Sequence, residues 1–507
     1  MQRVARGFLT LSLDLATHQD RGVVLTIGFR LDSQGMLPDY LPAPRLFGRR
    51  EIRSRFTEVT SANIIEILND SLPVFQQNKA DTLYLWWYYR GYQPIFNREK
   101  PVRPEINHPV VENRANEIVS FKVGYEFGEP VQYIGRSAEV TEQIKRLNDM
   151  MFYENKATHD RDLCEWWEIS GTSYRMVLAD DSDDRDEAPF EIFTLDPTRT
   201  FIVYTDDYRN EPLLGVFVEY DDFNMPYFVC YSRNKKYVVK GSLVWETPHP
   251  YGDVPIFEYK ANNARMGAFE IVITMLDAIN TVASNRVDAV EQFVQALMVF
   301  YNCDLDGEDF DELMARGAVK LKSVDGVLAP NIEYLTAELN QTQTQTLVDY
   351  MYQTVLTICG MPNRNGGAST SDTGAAVLLR DGWSLAEARA KDVEWSFKKA
   401  ERGFLKMVLR ICENTLEGFD LKVTDIDLKF TRRNYEAVQS KAQVLDMLLK
   451  NDWVDPLEAY SVCGLFSDAE GAYLAGRRFH EEQIREEVDL SEEAGHVNLP
   501  SSDEYNV

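Results

Sequence analysis

The sequence predicts a mainly α-helical protein with an inserted antiparallel β region, an α+β fold drawn out into an elongated subunit. Apolar residues recur every three or four positions over two unusually long stretches, 267–301 and 373–416. Between residues 172 and 260 the period changes to two, which is typical of half-buried strands. A chain of 507 residues is also too long for one ordinary core, so we expect several domains.

The chain before residue 260 is expected to frame the β region with helices. Helices are predicted at 61–72, from there to near Gly91, at 109–123, 138–151 and 157–170, with a short strand at 131–134. The β region itself contains six predicted strands, Ser173–Ala179, Phe190–Leu195, Phe201–Tyr204, Leu213–Tyr220, Tyr227–Tyr231 and Tyr237–Lys240.

The stretch 267–301 is predicted to form one helix with two different faces. Its apolar face runs from Val272 to Tyr301 in steps of three and four. A second, polar stripe lies beside it and contains Asp277, Asn280, Ser284, Asp288 and Glu291. A helix that packs against neighbours on one side and faces solvent on the other would carry both stripes.

A compact insert, a returning helix and a polar loop are expected between the two long stretches. The insert, 302–335, holds an acidic segment, Asp304–Glu312, and a predicted hairpin between Ala318–Lys322 and Val327–Leu328. A helix then returns to about residue 360. The loop 361–372 breaks that helix through Pro362 and the Gly366-Gly367 pair. The second long helix follows from Thr373, with Asp381-Gly382 as a candidate kink and Gly418 as its stop.

The two ends of the chain are less regular. Residues 1–54 contain a basic run, Arg45, Arg49, Arg50, Arg53 and, just beyond, Arg55. This run fits either a flexible arm with a solvated patch or a contact with neighbouring subunits of an acidic assembly. After Gly418 we expect a strand at 425–431, helices at 434–450, 455–463 and 467–488, and a disordered acidic tail from about residue 491.

Composition and missing motifs exclude several classes of protein. The net charge of −28 argues against a protein that coats DNA through a basic surface. We find no apolar stretch long enough for a transmembrane helix, and Asp14 interrupts the only candidate signal sequence. The six cysteines are more than fifty residues apart, so we expect reduced, buried thiols and no metal site. There is no phosphate-binding loop and no dinucleotide-binding, zinc-protease or serine-hydrolase motif.

One acidic cluster, Asp180–Asp186, is a candidate metal site of an enzyme. Asp180, Ser182, Asp184 and Glu191 fall where a calcium loop has ligands, but Arg185 occupies the position that requires glycine. We therefore expect an exposed hairpin loop there, with a metal-dependent nuclease or capsid protease as the alternative. Without a catalytic constellation, the residues predict a non-enzymatic, oligomeric structural protein that needs no cofactor.

The order of these elements resembles the portal proteins of long-tailed double-stranded DNA phages. The resemblance covers roughly residues 55–490 and rests first on 85–91 (LWWYYRG) and 123–133 (VGYEFGEPVQY). It rests also on the helix–insert–helix–loop–long-helix order of 267–416 and on the strand Ile426–Phe430 before a helix-rich end. A non-phage scaffold or adaptor protein with long helices is the remaining alternative.

The resemblance implies a subunit divided as portal subunits are. After an N-terminal arm (1–54) would come a wing (55–265), a stem helix (266–301), a clip (302–335), a second stem helix (336–360), a tunnel loop (361–372), a bridging helix (373–417), a crown (418–490) and an acidic tail (491–507). It further implies a ring of usually twelve copies at one capsid vertex of the virion, assembled in the host cytoplasm.

The resemblance also implies partners and the residues that meet them. The partners would be double-stranded DNA in the channel, the terminase large subunit, the major capsid and scaffolding proteins and a head–tail adaptor, with no membrane. DNA would face the tunnel-loop residues Asn363, Arg364, Asn365, Gly366, Gly367, Ser369 and Thr370, and the channel would face the polar stripe of 277–291. Clip docking is assigned to Glu308, Asp309 and Asp311. Arg364 either touches phosphates or pairs with a carboxylate of a neighbouring subunit.

Overall fold

A computed structural model describes most of the chain between residues 46 and 495. The described ranges are 46–101, 103–180, 187–294, 297–301, 303–304, 322–323, 331–335, 341–362, 382–432, 438–451, 453–466 and 469–495. Four predicted features lie outside them: the arm as far as residue 45, the acidic clip residues, the tunnel loop from residue 363, and the tail from residue 496. Most of the Asp180–Asp186 cluster also lies outside.

Helices account for about half of the described chain. They are α1 (Ile64–Tyr89), α2 (Arg114–Glu126), α3 (Thr141–Tyr153), α4 (Lys156–Ser170), α5 (Ile273–Val294), α6 (Gln341–Cys359), α7 (Trp383–Thr415), α8 (Val438–Leu449), α9 (Pro456–Cys463) and α10 (Ala469–Gly495). Short 3₁₀ turns lie at Pro94–Asn97, Ala138–Val140, Glu270–Val272 and Val423–Asp425.

The strands form several small sheets. They are β1 (Ile52–Ser54), β2 (Gln132–Gly135), β3 (Thr172–Ala179), β4 (Phe190–Leu195), β5 (Thr200–Thr205), β6 (Pro212–Tyr220), β7 (Pro226–Tyr231), β8 (Lys235–Lys240), β9 (Leu243–Pro248), β10 (Ile256–Lys260), β11 (Leu297–Tyr301), β12 (Cys303–Asp304), β13 (Lys322–Ser323), β14 (Asn331–Leu335) and β15 (Ile426–Lys429). The predicted α+β class is confirmed.

The described residues divide into two compact units, and the first comprises 51–76 and 199–254. Its sheet has the order β1-β5-β6-β7-β8-β9, antiparallel except for the parallel pair β1 and β5. The first half of α1 covers one face, where the rings of Phe75 and Phe201 lie 4.5 Å apart. Sequence reasoning predicted two helices here, but α1 continues through Pro73. Leu68 and Phe75 are buried in the same core on either side of Pro73, and this packing holds the helix across the missing hydrogen bond.

The second unit comprises the described residues of 46–50, 77–198 and 255–495. Its sheet has the order β10-β3-β4, and a separate antiparallel pair joins β2 to β15, with Tyr133 opposite Leu428. Helix α7 buries one stripe in this unit, as predicted. The buried members of that stripe are Ala386, Ala390, Phe397, Phe404, Met407 and Ile411.

A network of charged side chains lies inside the second unit. Glu401 on α7 is fully buried and accepts from Lys156 at 3.0 Å and Arg175 at 3.1 Å. Asp160 pairs with the same two cations, so the four charges cancel. The hydroxyls of Tyr133 and Tyr259 also donate to Glu401. Balanced charge and these hydrogen bonds make such burial tolerable, although Arg175 Nε has no hydrogen-bond partner among the described residues.

The structure corrects the first long-helix prediction and describes part of the second. The first long helix was expected to reach Tyr301, but α5 ends at Val294 and Leu297–Tyr301 pairs with β14 instead. A continuous apolar run is compatible with either a helix or a strand, and Leu297–Tyr301 is a strand because it pairs with β14. The second was expected to begin at Thr373, with Asp381-Gly382 as a candidate kink; residues 373–381 lie outside the described ranges, and α7 begins at Trp383, directly after Gly382, which has a left-handed φ of 80°. A helix cannot pass through that conformation.

Candidate functional site

The polar stripe of α5 meets an irregular segment of the same chain, residues 93–112. The Asn280 side chain accepts from the Glu112 backbone N–H at 2.8 Å and donates to Gln93. One turn further on, the Ser284 hydroxyl accepts from the Val110 backbone N–H at 2.9 Å. An irregular segment leaves backbone N–H groups that must find acceptors when buried, and this helix face supplies them.

Asp288 completes this contact as a charged anchor. Its carboxylate accepts from the His108 backbone N–H at 2.8 Å and lies 2.9 Å from Lys100 Nζ and 3.1 Å from Arg98. Burial opposes the charged form, but the His108 N–H bond and the two cations outweigh it and lower the pKa of Asp288. The anchor is therefore ionised at neutral pH.

These contacts correct the channel-facing role expected for three residues of the stripe. Asn280 and Ser284 are fully buried and Asp288 is 3% exposed within the single chain. Side chains covered by their own chain are not available to a channel lumen. Their polar character serves the packing of α5 on residues 93–112, so for these three the prediction was wrong.

The two ends of the same stripe are only partly covered. Asp277 accepts a hydrogen bond from the Tyr88 hydroxyl at 2.9 Å, and burial raises the pKa of Asp277. Glu291 contacts the His108 ring. A channel-facing role for Asp277 and Glu291 stays a prediction.

Helices α5 and α6 pack against each other and leave apolar side chains uncovered. Val272, directly before α5, and Leu276 and Ile279 on α5 are buried, whereas Val287 and Val290 are 43% and 53% exposed. On α6, Val355 and Leu356 are buried. Leu347, Tyr350 and Ile358, spaced by three and eight residues, are 49%, 67% and 39% exposed. The apolar stripes therefore continue past the part that this chain covers.

Sequence reasoning did not single out the uncovered residues of α6. Ile358 lies three residues after the buried Val355, so spacing alone does not separate the uncovered side chains from the buried ones.

The basic run near residue 50 does not form one solvated patch. Arg49 is buried and pairs with Glu270 at 2.6 Å, and Asp81 lies 3.9 Å away. Arg53 and Arg55 are exposed and lie near Asp206 and Glu66 respectively. Arg49 therefore fixes its segment inside the second unit, and Arg45 lies outside the described residues.

Other candidate sites have little support in the described part of the chain. No group of three or more histidine, cysteine or acidic side chains there is placed to hold a metal ion. No helix among the described residues is long and apolar enough to cross a membrane. The tunnel-loop residues 363–370 and the clip residues Glu308, Asp309 and Asp311 lie outside the described ranges.

Uncovered apolar stripes on α5 and α6 are surfaces through which a structural subunit can associate with copies of itself. Comparison with known families makes this class specific: it is that of phage portal proteins. The sequence matches the family described as phage portal protein, SPP1 Gp6-like, over residues 75–486. The chain belongs to this family, since the match spans well over half of its length.

Individual relatives are distant. The portal protein of Bacillus phage SPP1 is 20% identical over 365 residues, which cover 66% of this chain and 67% of that protein. The neck of an empty gene transfer agent (GTA) particle, computed with C6 symmetry, contains a chain with a TM-score of 0.41 and 13% identity. That match covers 69% of this chain and 90% of the neck chain. A chain of the native GTA virion gives a TM-score of 0.42 and 12% identity over 76% of this chain and 94% of its own.

Family membership confirms the resemblance inferred from the sequence. The chain is a portal protein, a structural component of the virion that forms a homo-oligomeric ring at the capsid vertex. The scaffold and nuclease alternatives are not favoured by this membership.

Proposed function

We propose that the ring of this portal protein contains twelve copies and forms the channel through which double-stranded DNA enters and leaves the capsid. The observation that supports ring contacts best is the pair of uncovered apolar stripes on α5 and α6. In a cyclic ring every copy offers two different faces to its neighbours, and two stripes on one subunit suit that arrangement. The chain itself would act without catalysis or cofactor, and a separate motor would supply the energy.

The uncovered stripes can contribute substantially to each contact. Val287, Val290, Leu347 and Tyr350 are each about half exposed. Covering the exposed half of such a side chain contributes about 1 kcal/mol, or roughly 4 kcal/mol for the four. That corresponds to about a thousandfold in the dissociation constant of one contact.

The charge of the chain fits a channel that does not grip DNA. Twelve copies with a net charge of −28 each would carry on the order of three hundred negative charges. Phosphates would be repelled from such a wall and pass along it. We assign the closest approach to the tunnel loop, with Arg364 touching phosphates or pairing with a neighbouring carboxylate.

Imaging the purified protein tests the ring. We expect rings of about twelve subunits with a central channel in electron micrographs, and a strictly monomeric protein at high concentration would contradict the proposal. The double variant Leu347→Ser and Tyr350→Ser should raise the concentration needed for assembly. Tyr208→Ser with Phe223→Ser is a matched control, because these side chains are 90% and 87% exposed in turns of the first unit.

Function in the capsid needs two further variants. Deleting residues 363–370 should leave ring assembly intact and impair DNA packaging or retention. Normal filling and retention by that variant would remove the loop from the mechanism.

Charge-reversal variants test whether the terminase or the adaptor binds at the clip. Reversing Glu308, Asp309 or Asp311 should weaken binding of the terminase or the adaptor more than it affects ring assembly. Unchanged docking would show that these carboxylates are not the contact.

A further inference from the structure

The solvent face of α7 carries a run of cations that the mechanism above does not use. Lys399, Arg402 and Lys406 are all exposed and follow one another by three and four residues, so they lie on one face of the helix. Trp395 lies one turn before them and is 72% exposed. We call these four residues the basic stripe of α7. It extends for about 17 Å along the helix.

Within the described residues, this stripe has no compensating negative charge. No carboxylate of the described residues forms an ion pair with Lys399, Arg402 or Lys406, although Lys391 on the same helix lies 3.8 Å from Glu387. Arg402 and Lys406 are four residues apart, as are Lys398 and Arg402, and like charges at that spacing repel. Such an arrangement is stabilised when an acidic surface from elsewhere covers it.

Every copy of this chain brings a large excess of acidic surface. The net charge is −28, so three adjacent cations without an ion pair among the described residues contrast with the acidic character of the chain. In a ring, a second copy is the acidic partner present at each contact. Electrostatic complementarity of this kind selects the partner and fixes its orientation.

The exposed tryptophan favours a protein partner over DNA. Trp395 has Lys398 Nζ 5.9 Å from its ring centroid and otherwise presents its ring to solvent. Tryptophan and arginine are the residues most enriched where protein–protein contacts are strongest. A duplex backbone would be met by the cations alone and offers no apolar surface for the indole.

We infer that the basic stripe of α7 is a contact between subunits and receives an acidic face of a neighbouring copy. This inference rests on the proposed ring and names one of its surfaces. It is separate from the apolar stripes of α5 and α6, because its strength depends on charge and therefore on salt.

A charge-reversal series tests the inference on the full-length protein. The triple variant Lys399→Glu, Arg402→Glu and Lys406→Glu should raise the concentration at half assembly by at least about tenfold, measured by mass photometry. A neutral triple variant, with glutamine at the same positions, should give a smaller shift in the same direction. Far-UV circular dichroism should be unchanged for both, because the side chains are exposed.

The control carries the same change of charge elsewhere. Arg209→Glu, Arg233→Glu and Lys450→Glu also replace three exposed cations, and this variant should form rings as the wild type does. Raising the salt concentration should weaken assembly of the wild type more than that of the neutral stripe variant.

Three results would overturn the assignment, each in a distinguishable way. Rings of the stripe variants at wild-type concentrations would show that the stripe is not a contact between copies. Normal rings that package DNA poorly would assign the stripe to DNA instead. Monomeric wild-type protein at all concentrations would overturn the ring itself, and the stripe contact with it.

Discussion

Replacing Asp288 by asparagine separates a packing role from a channel-lining role. The substitution keeps the side chain's shape and one oxygen for the His108 N–H. It turns an NH₂ group toward Lys100 and Arg98, whose charges then lose their common partner. Breaking a buried pair by removing one partner costs about 3–5 kcal/mol. Because the two cations are partly exposed, at 16% and 18%, we expect about 2–4 kcal/mol for this site.

Urea denaturation of the variant measures this loss directly. Glu413→Gln, an exposed site at the end of α7, is the control and should change the free energy of unfolding by less than about 0.5 kcal/mol. The loss should also depend on pH. Since the folded-state pKa of Asp288 is lowered, its contribution is present above the unfolded-state pKa and is lost as the pH falls through the folded-state value. A variant as stable as the wild type at pH 7 would refute the packing role and restore the channel-facing one.

Three further predictions concern Gly171, Glu126 and Glu401 of the second unit, and Gly241 of the first unit is the control for Gly171. Gly171→Ala should destabilise by more than about 2 kcal/mol, because φ is +81° and a Cβ would lie 2.1 Å from the Arg265 carbonyl oxygen. Gly241→Ala, with φ +61° and open space around it, should cost only about 1–2 kcal/mol in a thermal melt or urea titration. Burial, with the charge of a neighbouring glutamate, raises the pKa of Glu126 to about 8. Wild-type stability should therefore fall as the pH rises from about 5 to 8, and Glu126→Gln should flatten that dependence. Glu401→Ala leaves two buried cations sharing one carboxylate and should cost about 3–5 kcal/mol; a loss below 1 kcal/mol would show that the network relaxes.

Local pattern was enough to predict much of the fold. Phe190–Leu195 was predicted to the residue, because alternation and flanking turns define a strand whatever it pairs with. The buried stripe of α7 was predicted for the same reason, since Phe397, Phe404 and Ile411 repeat at helical spacing. The strands β9 and β10 were missed; β9 is mostly exposed and lacks a buried face to create alternation.

The packing role of the polar stripe of α5 could not be predicted from the sequence of the helix itself. Asn280, Ser284 and Asp288 have the spacing of a solvent-facing stripe, and only the return of residues 93–112 covers them. That segment has no periodicity, so nothing local marks it as the partner. Leu297–Tyr301 fits a helix and a strand equally well, and its partner Asn331–Leu335 lies some thirty residues further on. In both segments, the polar stripe of α5 and Leu297–Tyr301, a contact with a distant part of the chain determines the structure.

The pairing of β2 with β15 has a consequence for how the chain is made. β2 leaves the ribosome about 290 residues before its only strand partner among the described residues exists. At translation rates of about 5–20 residues per second, β2 stays without this partner strand for roughly 15–60 s. During that interval nascent chains on one messenger, all destined to meet in a ring, expose the same open strand to one another. A chain in which β15 has paired with β2 no longer offers that strand edge to its neighbours.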